Sequence, residues 1–404
     1  MNSGPEPGLR YGSPDQAGLS ASRLDRAAKL AAGWVEDGTH PALEVLVARR
    51  GVIALHETFG KHGSAPGARP FERGGLMQTA SMIKPVTAAA LMALVEDGAV
   101  GLTRPVQHYI PEFTGAGREA VYVHHLLTHT SGLYEDILVT VGQMFERLGG
   151  PRRFDGVHTV VDAFLQLACE HPLVGEPGRQ MRYDTLNYEL AGEIVRRVSG
   201  RPLQEFATER VLEPLGMGDT WYALPAEQQD RVVTADLGPS SLASATPLVG
   251  IAGASGPGVY STALDMARFS QMFLEGGRGP KGQVLHPTSI IAMSLNQIPG
   301  TPGGFPQEWH DEASWSFGWG IACHEKWGGF PVFPAGTLNH AGGAGTIMWA
   351  DPAHQLVGVY MSIATMVDAS EPDSDEPQKG LAKGLALNWN ADLFVNAVYA
   401  AAED

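Results

Sequence analysis

The sequence predicts an α/β protein: an antiparallel sheet flanked by helices, a mostly helical subdomain beside it, and the active site in the cleft between them. Three observations lead there. Residues 42–48 and 51–57 are two runs of strand-forming residues around a polar Arg49-Arg50-Gly51 turn, the pattern of a β-hairpin. Helical periodicity near both ends of the chain, over 21–37 and 382–399, supplies two helices that can lie on one sheet and bring the ends together. The middle of the chain, 102–232, reads as helices joined by long loops. The sheet subdomain is therefore expected to be discontinuous, residues 1–100 and 245–404, with the helical subdomain at 101–244.

Each element follows from its local pattern. Leu24, Ala27, Ala28, Leu30, Ala31 and Trp34 fall on or near one side of the first helix. After the hairpin, residues 61–75 are rich in Gly and Pro and read as a loop. A helix with one buried face then runs to a stop at Gly98, its apolar residues at 83, 86, 90, 91, 94 and 95. Pro85 is tolerated only in a first turn, so Ser81 and Lys84 sit where the chain enters this helix, three apart and on one side. His125 and His129 have the spacing of a zinc pair, but Leu126 stands where the metallopeptidase motif needs Glu. They read instead as structural histidines beside a Thr130-Ser131-Gly132 turn, and Ser131 has no lysine three residues on.

Tyr183 lies on the turn before a helix over 189–199 that Gly200 ends. Residues 228–249 carry little pattern and read as extended chain. The glycines of 253–258 lack the G-x-G-x-x-G spacing of a phosphate loop and lead into a helix over 263–273. Ser255 is in no G-x-S-x-G elbow because position 257 is Pro, and no other serine has that surrounding, which argues against the α/β-hydrolase route to an esterase. Strands begin near Trp315, with an aromatic loop at 327–330. Residues 338–352 and 356–361 read as adjacent antiparallel strands joined at an Asp351-Pro352 turn. Residues 368–379 form an acidic solvated loop, and the last helix buries Trp389, Leu393, Phe394 and Val398.

With 404 residues, 44% hydrophobic and 18% charged, the chain can bury a large core. A net charge of -16 without a clustered basic face argues against a nucleic-acid partner. The first ten residues have neither a basic start nor an apolar signal core, and no later run reaches membrane-spanning length. Cys169 and Cys323 alone make no disulfide framework, so a cytoplasmic protein without a membrane partner is expected.

Chemistry concentrates at Ser81 and Lys84. A hydroxyl beside an amine at the positive end of a helix is what a serine nucleophile needs, because the amine can take its proton and the helix end favours the oxyanion. Ser-x-x-Lys is common by itself. Here it sits in T-A-S-M-I-K-P-V-T-A, followed by L-L-T-H-T-S-G-L at 126–133, Tyr183, E-P-L-G-M at 213–217 and H-A-G-G at 340–343. In that order and spacing, from Leu24 to Tyr399, the chain resembles the serine β-lactamase and penicillin-binding-protein-like hydrolases. The match is to the class C β-lactamase-like branch that includes family VIII carboxylesterases.

The resemblance implies the β-lactamase-like fold and the roles of several residues. Ser81 is the nucleophile, with Lys84 or Tyr183 as general base. Tyr183 matches the tyrosine of the family's Y-x-N motif, whose third position is Thr185 here; a short hydroxyl cannot span the gap an Asn amide spans, which disfavours amide and β-lactam substrates. The family's K-T-G strand is matched by His340, with Gly342 and Gly343 after it, so that Ser81 and Gly343 would supply the two oxyanion N–H groups. A mostly neutral histidine in place of a permanent cation favours neutral esters. Thr185, His340, Gly342 and Trp327 are the expected substrate contacts, and Trp309, Trp315, Trp319, Trp327 and Phe330 the candidates for an acyl pocket. The expected activity is a two-step hydrolysis of a small ester with no metal or cofactor. β-Lactamase, D-amino-acid peptidase, acyltransferase and non-catalytic scaffold readings stay open alongside it.

Overall fold

The computed structural model describes residues 7–134, 143, 157–235, 254, 256, 258–305, 308–323, 333–363 and 390–403. In chain order, the elements that matter here are β1 (Arg10–Tyr11), α1 (Ala21–Glu36), β2 (Ala42–Arg49), β3 (Val52–Gly60), α2 (Lys84–Glu96), α3 (Val123–Leu127) and α4 (Val157–Glu170). There follow β4 (Met181–Arg182), α5 (Leu186–Ser199), α6 (Ala263–Leu274), β5 (Gly303–Phe305), β6 (Glu308–His310) and β7 (Gly320–Ile321). The last are β8 (Leu338–Gly342), β9 (Thr346–Asp351), β10 (Leu356–Ser362) and α7 (Ala391–Ala401).

The main sheet has seven strands in the order β1-β3-β2-β10-β9-β8-β7. It is antiparallel except at one edge, where β1 pairs parallel with β3. The expected β2–β3 hairpin forms, with Arg50 and Gly51 at φ 54° and 74°, the left-handed pair that matches the twist of the flanking strands. Residues 338–352, read from the sequence as one strand, fold as two. Gly343 to Gly345 turn the chain between β8 and β9, and Gly345 adopts φ 89°, a conformation open to glycine at little cost.

Both faces of the sheet are covered. Helices α1 and α7 pack together over Leu43, Val45, Val47, Trp349 and Tyr360, while α2 and α6 belong to the core on the other side with Leu46, Ala48, Met348, Val359 and Met361. Every residue of β2 is consequently buried, and the strand shows no in-and-out alternation. The expectation of a single buried face on α2 is corrected. Residues 84–94 are buried all round, because α2 runs through the larger core, packed against α5 and the helical segments Leu203–Ala207 and Thr208–Leu212, instead of presenting one side to solvent.

Other expectations shift with the packing. In α1 only Leu24, Ala27 and Ala31 are buried, and Leu30 is 40% exposed. In α7 the buried stripe is Ala391, Phe394, Val395, Val398 and Ala401; Leu393 lies one residue, about 100°, off it and is 48% exposed. Residues 226–231 form a 3-10 turn instead of extended chain. Trp327, Phe330, Trp389, residues 236–249 and the acidic stretch 368–379 lie outside the described residues. Among the described residues, no helix is long and apolar enough to cross a membrane.

A buried carboxylate joins the sheet to α6. Glu44 on β2 is fully buried, with Oε1 2.8 Å from His56 Nε2 and Oε2 accepting the Ala263 N–H at 3.2 Å, at the first residue of α6. His56 Nδ1 lies 2.7 Å from the Tyr11 hydroxyl, so the chain runs from the parallel edge strand to the helix. Removing the imidazole would leave part of the carboxylate unsatisfied in the core, which costs about 2 kcal/mol. His56→Ala is therefore expected to lower the urea midpoint at unchanged slope; a midpoint equal to that of the wild type would mean that the histidine does not support Glu44.

Candidate active site

The site is built around a tight turn ahead of α2. Ala80–Ile83 is a 3-10 turn, and Lys84 opens the α-helix with Pro85 in its first turn, where the absent N–H leaves no bond unmade. Ala80 adopts φ 46°, a strained value for a residue with a side chain, immediately before Ser81. Two close backbone approaches hold the turn there. A Cβ on Gly342, at the end of β8, would overlap the Thr79 carbonyl oxygen, and one on Gly256 would overlap the Ala80 carbonyl. Thr346 Oγ1 on β9 donates to the same Thr79 oxygen at 2.9 Å, and the Thr79 N–H donates to the Val259 carbonyl at 3.0 Å.

Lys84 Nζ lies 2.7 Å from Ser81 Oγ. Ser81 is half-buried, whereas Lys84 is completely buried. Burial disfavours the ammonium and brings the Lys84 pKa down from 10.5 to about 7, against the opposing pull of Glu189 and Asp184. Both carboxylates are engaged elsewhere: Glu189 Oε2 accepts the Ala254 N–H at 3.1 Å and Asp184 Oδ1 accepts the Leu186 N–H at 2.7 Å.

Tyr183 follows β4 and reaches the same point from the helical side. Its hydroxyl is hydrogen-bonded to Ser81, and Lys84 Nζ stands 5.2 Å from its ring centre. Burial raises the phenol well above its ordinary value, with Ser81 acting in the opposite direction. Ser81, Lys84 and Tyr183, separated by up to about a hundred residues, thus meet as the sequence expects.

The remaining expected contacts divide. His340 on β8 is 2% exposed, its ring centre 6.2 Å from that of Tyr183 and 5.6 Å from that of Trp315. Burial, with Lys84 nearby, lowers it to about 3, so it is neutral. Gly343 faces open space, with nothing within 4 Å of an added Cβ. Gly342 does not; an added Cβ there would meet the Thr79 carbonyl oxygen in the turn that carries Ser81. Thr185 is buried, and its hydroxyl has no hydrogen-bond partner among the described residues. Asn187 and Tyr188 pack inward, Tyr188 donating to the Leu127 carbonyl at 3.0 Å.

Among the described aromatic candidates, only Trp315 adjoins the site, meeting Tyr183 edge-on at 5.7 Å. Trp319 is core, packed on Phe269 and Phe273, and Trp309 is 48% exposed beneath the Arg182 guanidinium. The helical spacing expected of the histidine pair is not kept: α3 ends at Leu127, so His129 lies beyond the helix that carries His125. Sequence reasoning missed Glu189 and Asp184 as neighbours of the amine. The available signal was two carboxylates within six residues of Tyr183 at a helix start.

Comparison with known proteins agrees with this architecture. A family model described as Beta-lactamase matches residues 27–376. Esterase EstB of Burkholderia gladioli is 29% identical over 327 residues, covering 75% of this chain and 79% of the relative. A penicillin-binding protein homolog from Caulobacter crescentus has a similar structure, with a TM-score of 0.67 at 23% identity over 86% of this chain and 93% of that one. A family VIII carboxylesterase structure gives 0.66 at 19% identity over 92% and 99%. At those identities the two structures establish fold alone, while the family match spans most of the chain. The chain belongs to the β-lactamase family and is a serine hydrolase of the β-lactamase and penicillin-binding-protein-like superfamily.

Proposed function

We propose that this protein is a carboxylesterase that cleaves small neutral esters through an acyl-enzyme on Ser81. The observation that carries the reading is the 2.7 Å contact between Ser81 Oγ and Lys84 Nζ, made by an amine whose pKa burial brings to about 7. Near neutral pH a substantial fraction of Lys84 is free amine. It accepts the Ser81 proton as Oγ attacks the ester carbonyl carbon. The carbonyl π pair moves onto oxygen, where the N–H groups of Ser81 and Gly343 stabilise the oxyanion; one such donor is worth about 3 kcal/mol. Collapse of the adduct expels the alkoxide, which takes the proton back from Lys84 through Tyr183. Water then attacks the acyl group by the reverse proton route, releasing acid and free Ser81.

Burial keeps Tyr183 protonated near neutrality, which suits a relay better than a base. Lys84 is the group whose charge changes in the working range. The neutral His340 supports uncharged acyl groups, since it offers a carboxylate no ion pair, and the EstB likeness supports the same class. Thr185, with its short hydroxyl, gives an amide less to bind than an asparagine would.

Ser81→Ala should abolish hydrolysis of p-nitrophenyl butyrate; turnover at the wild-type rate would remove the mechanism. The groups facing Lys84 are Glu189, Asp184, Tyr183, Tyr188, His129 and His340, and of these the two carboxylates oppose the depression. Because the unprotonated amine is the active form, kcat/KM should rise with pH through about 7 and then level off, and a flat profile between pH 5 and 9 would assign the base elsewhere. In a substrate panel, the butyrate ester should exceed nitrocefin in kcat/KM by at least about 100-fold. Parity, or a preference for nitrocefin, would turn the assignment to a β-lactamase.

A further inference from the structure

Tyr183 reaches Ser81 from the end of a two-residue strand, and the hydrogen bonds of its two chain neighbours converge on one residue, one on its backbone carbonyl and one on its side chain. The Arg182 N–H donates to the His129 carbonyl at 2.8 Å, and the Asp184 N–H donates to His129 Nδ1 at 3.2 Å. Both chain neighbours of Tyr183 are thus held by one histidine. The His129 ring also lies against the Tyr183 ring, centroids 4.3 Å apart and tilted by 33°. Backbone and side-chain acceptors can face the same segment because His129 adopts φ 55°, in the left-handed region that a residue with a side chain occupies at a cost. The imidazole is anchored in turn, meeting Tyr188 and the edge of Trp315, each at 5.2 Å. Since Nδ1 accepts the Asp184 N–H, the ring proton sits on Nε2, and burial beside Lys84 and His340 keeps the ring neutral. The clamp therefore adds no charge next to the amine.

We propose that His129 is a positioning residue for ester hydrolysis, clamping the backbone on both sides of Tyr183 so that the phenol stays on Ser81. This rests on the reading of Tyr183 as the proton relay. His129 acts through Tyr183 and need touch neither substrate nor Ser81. A ring and two hydrogen bonds spent on one residue, with a strained backbone to align them, exceed what the packing of a loop requires.

The test is a double-mutant cycle on the full chain, with His129→Ala, Tyr183→Phe and the double variant. It is read by kcat and KM for p-nitrophenyl butyrate and by the rate at which a fluorophosphonate labels Ser81. His129→Ala is expected to lower kcat and labelling about 100-fold, as a small misplacement of a reacting group does, with KM within about twofold. In the Tyr183→Phe background the same change should cost no more than about twofold, because the relay it positions is already gone. A wild-type kcat in His129→Ala, or losses that multiply in the double variant, would overturn the clamp. Should the alanine variant misfold, His129→Phe fills the same space but offers the Asp184 amide no acceptor, and it goes through the same cycle. A loss confined to the protein that retains Tyr183 supports the clamp; no loss, or an equal loss in both backgrounds, overturns it. Retained turnover in Ser81→Ala would instead sink the esterase mechanism itself, whatever His129 does.

Discussion

The structure depends on keeping one amine dry. Lys84 is the first residue of a helix that is buried on every side, and its Nζ rests on the hydroxyl of a half-buried serine. Burial destabilises the ammonium form, while Glu189 and Asp184 restrain the shift so that it stops near neutrality. Without the carboxylates the amine would titrate lower still and hold no proton to return to a leaving group. With solvent at the ammonium it would titrate near 10.5 and never serve as a base. The burial of α2 on every side is therefore the physical condition for the proposed chemistry, beyond its contribution to the core.

The second constraint is steric. Ser81 must stand on a turn that packs against the sheet on one side and the Gly256 segment on the other, with Ala80 in an unfavourable backbone region. Two glycines make this possible by allowing backbone to touch backbone where any Cβ would intrude. Thr346 closes the arrangement by hydrogen-bonding the Thr79 carbonyl from the next strand, so the hairpin β8–β9 holds the nucleophile from beneath while Gly343, at its tip, faces open space. One hairpin thus has two uses, and a shift of register would disturb both.

Much of this was legible in the chain. The hairpin at 42–57, the helices near the two ends and the helix after Ser81 follow from periodicity and turn residues, since these are local properties of the sequence. The meeting of Ser81 and Lys84 was legible for the same reason: three residues at a helix start share a side. Tyr183 was found through the motifs around it, because nothing local distinguishes a tyrosine that lines a cleft from one in a core. The errors have a common source. Leu393 was placed in a buried stripe and lies off it, Leu30 on or near the inward side of its helix is 40% exposed, and Trp319, offered as pocket or core, fills the core. In each case residue type was read correctly, but which neighbour would cover it was not.

By itself the sequence determined the layered α/β plan, the serine and the amine three residues on that share one side of a helix start, and the family likeness, because propensity, patterning and motif spacing are carried by adjacent residues. Only the tertiary structure decided the electrostatics. The pKa of Lys84, the neutrality of His340 and the grip of His129 on Tyr183 all depend on segments distant in sequence that pack close enough to exclude water, and desolvation is a property of the assembled fold.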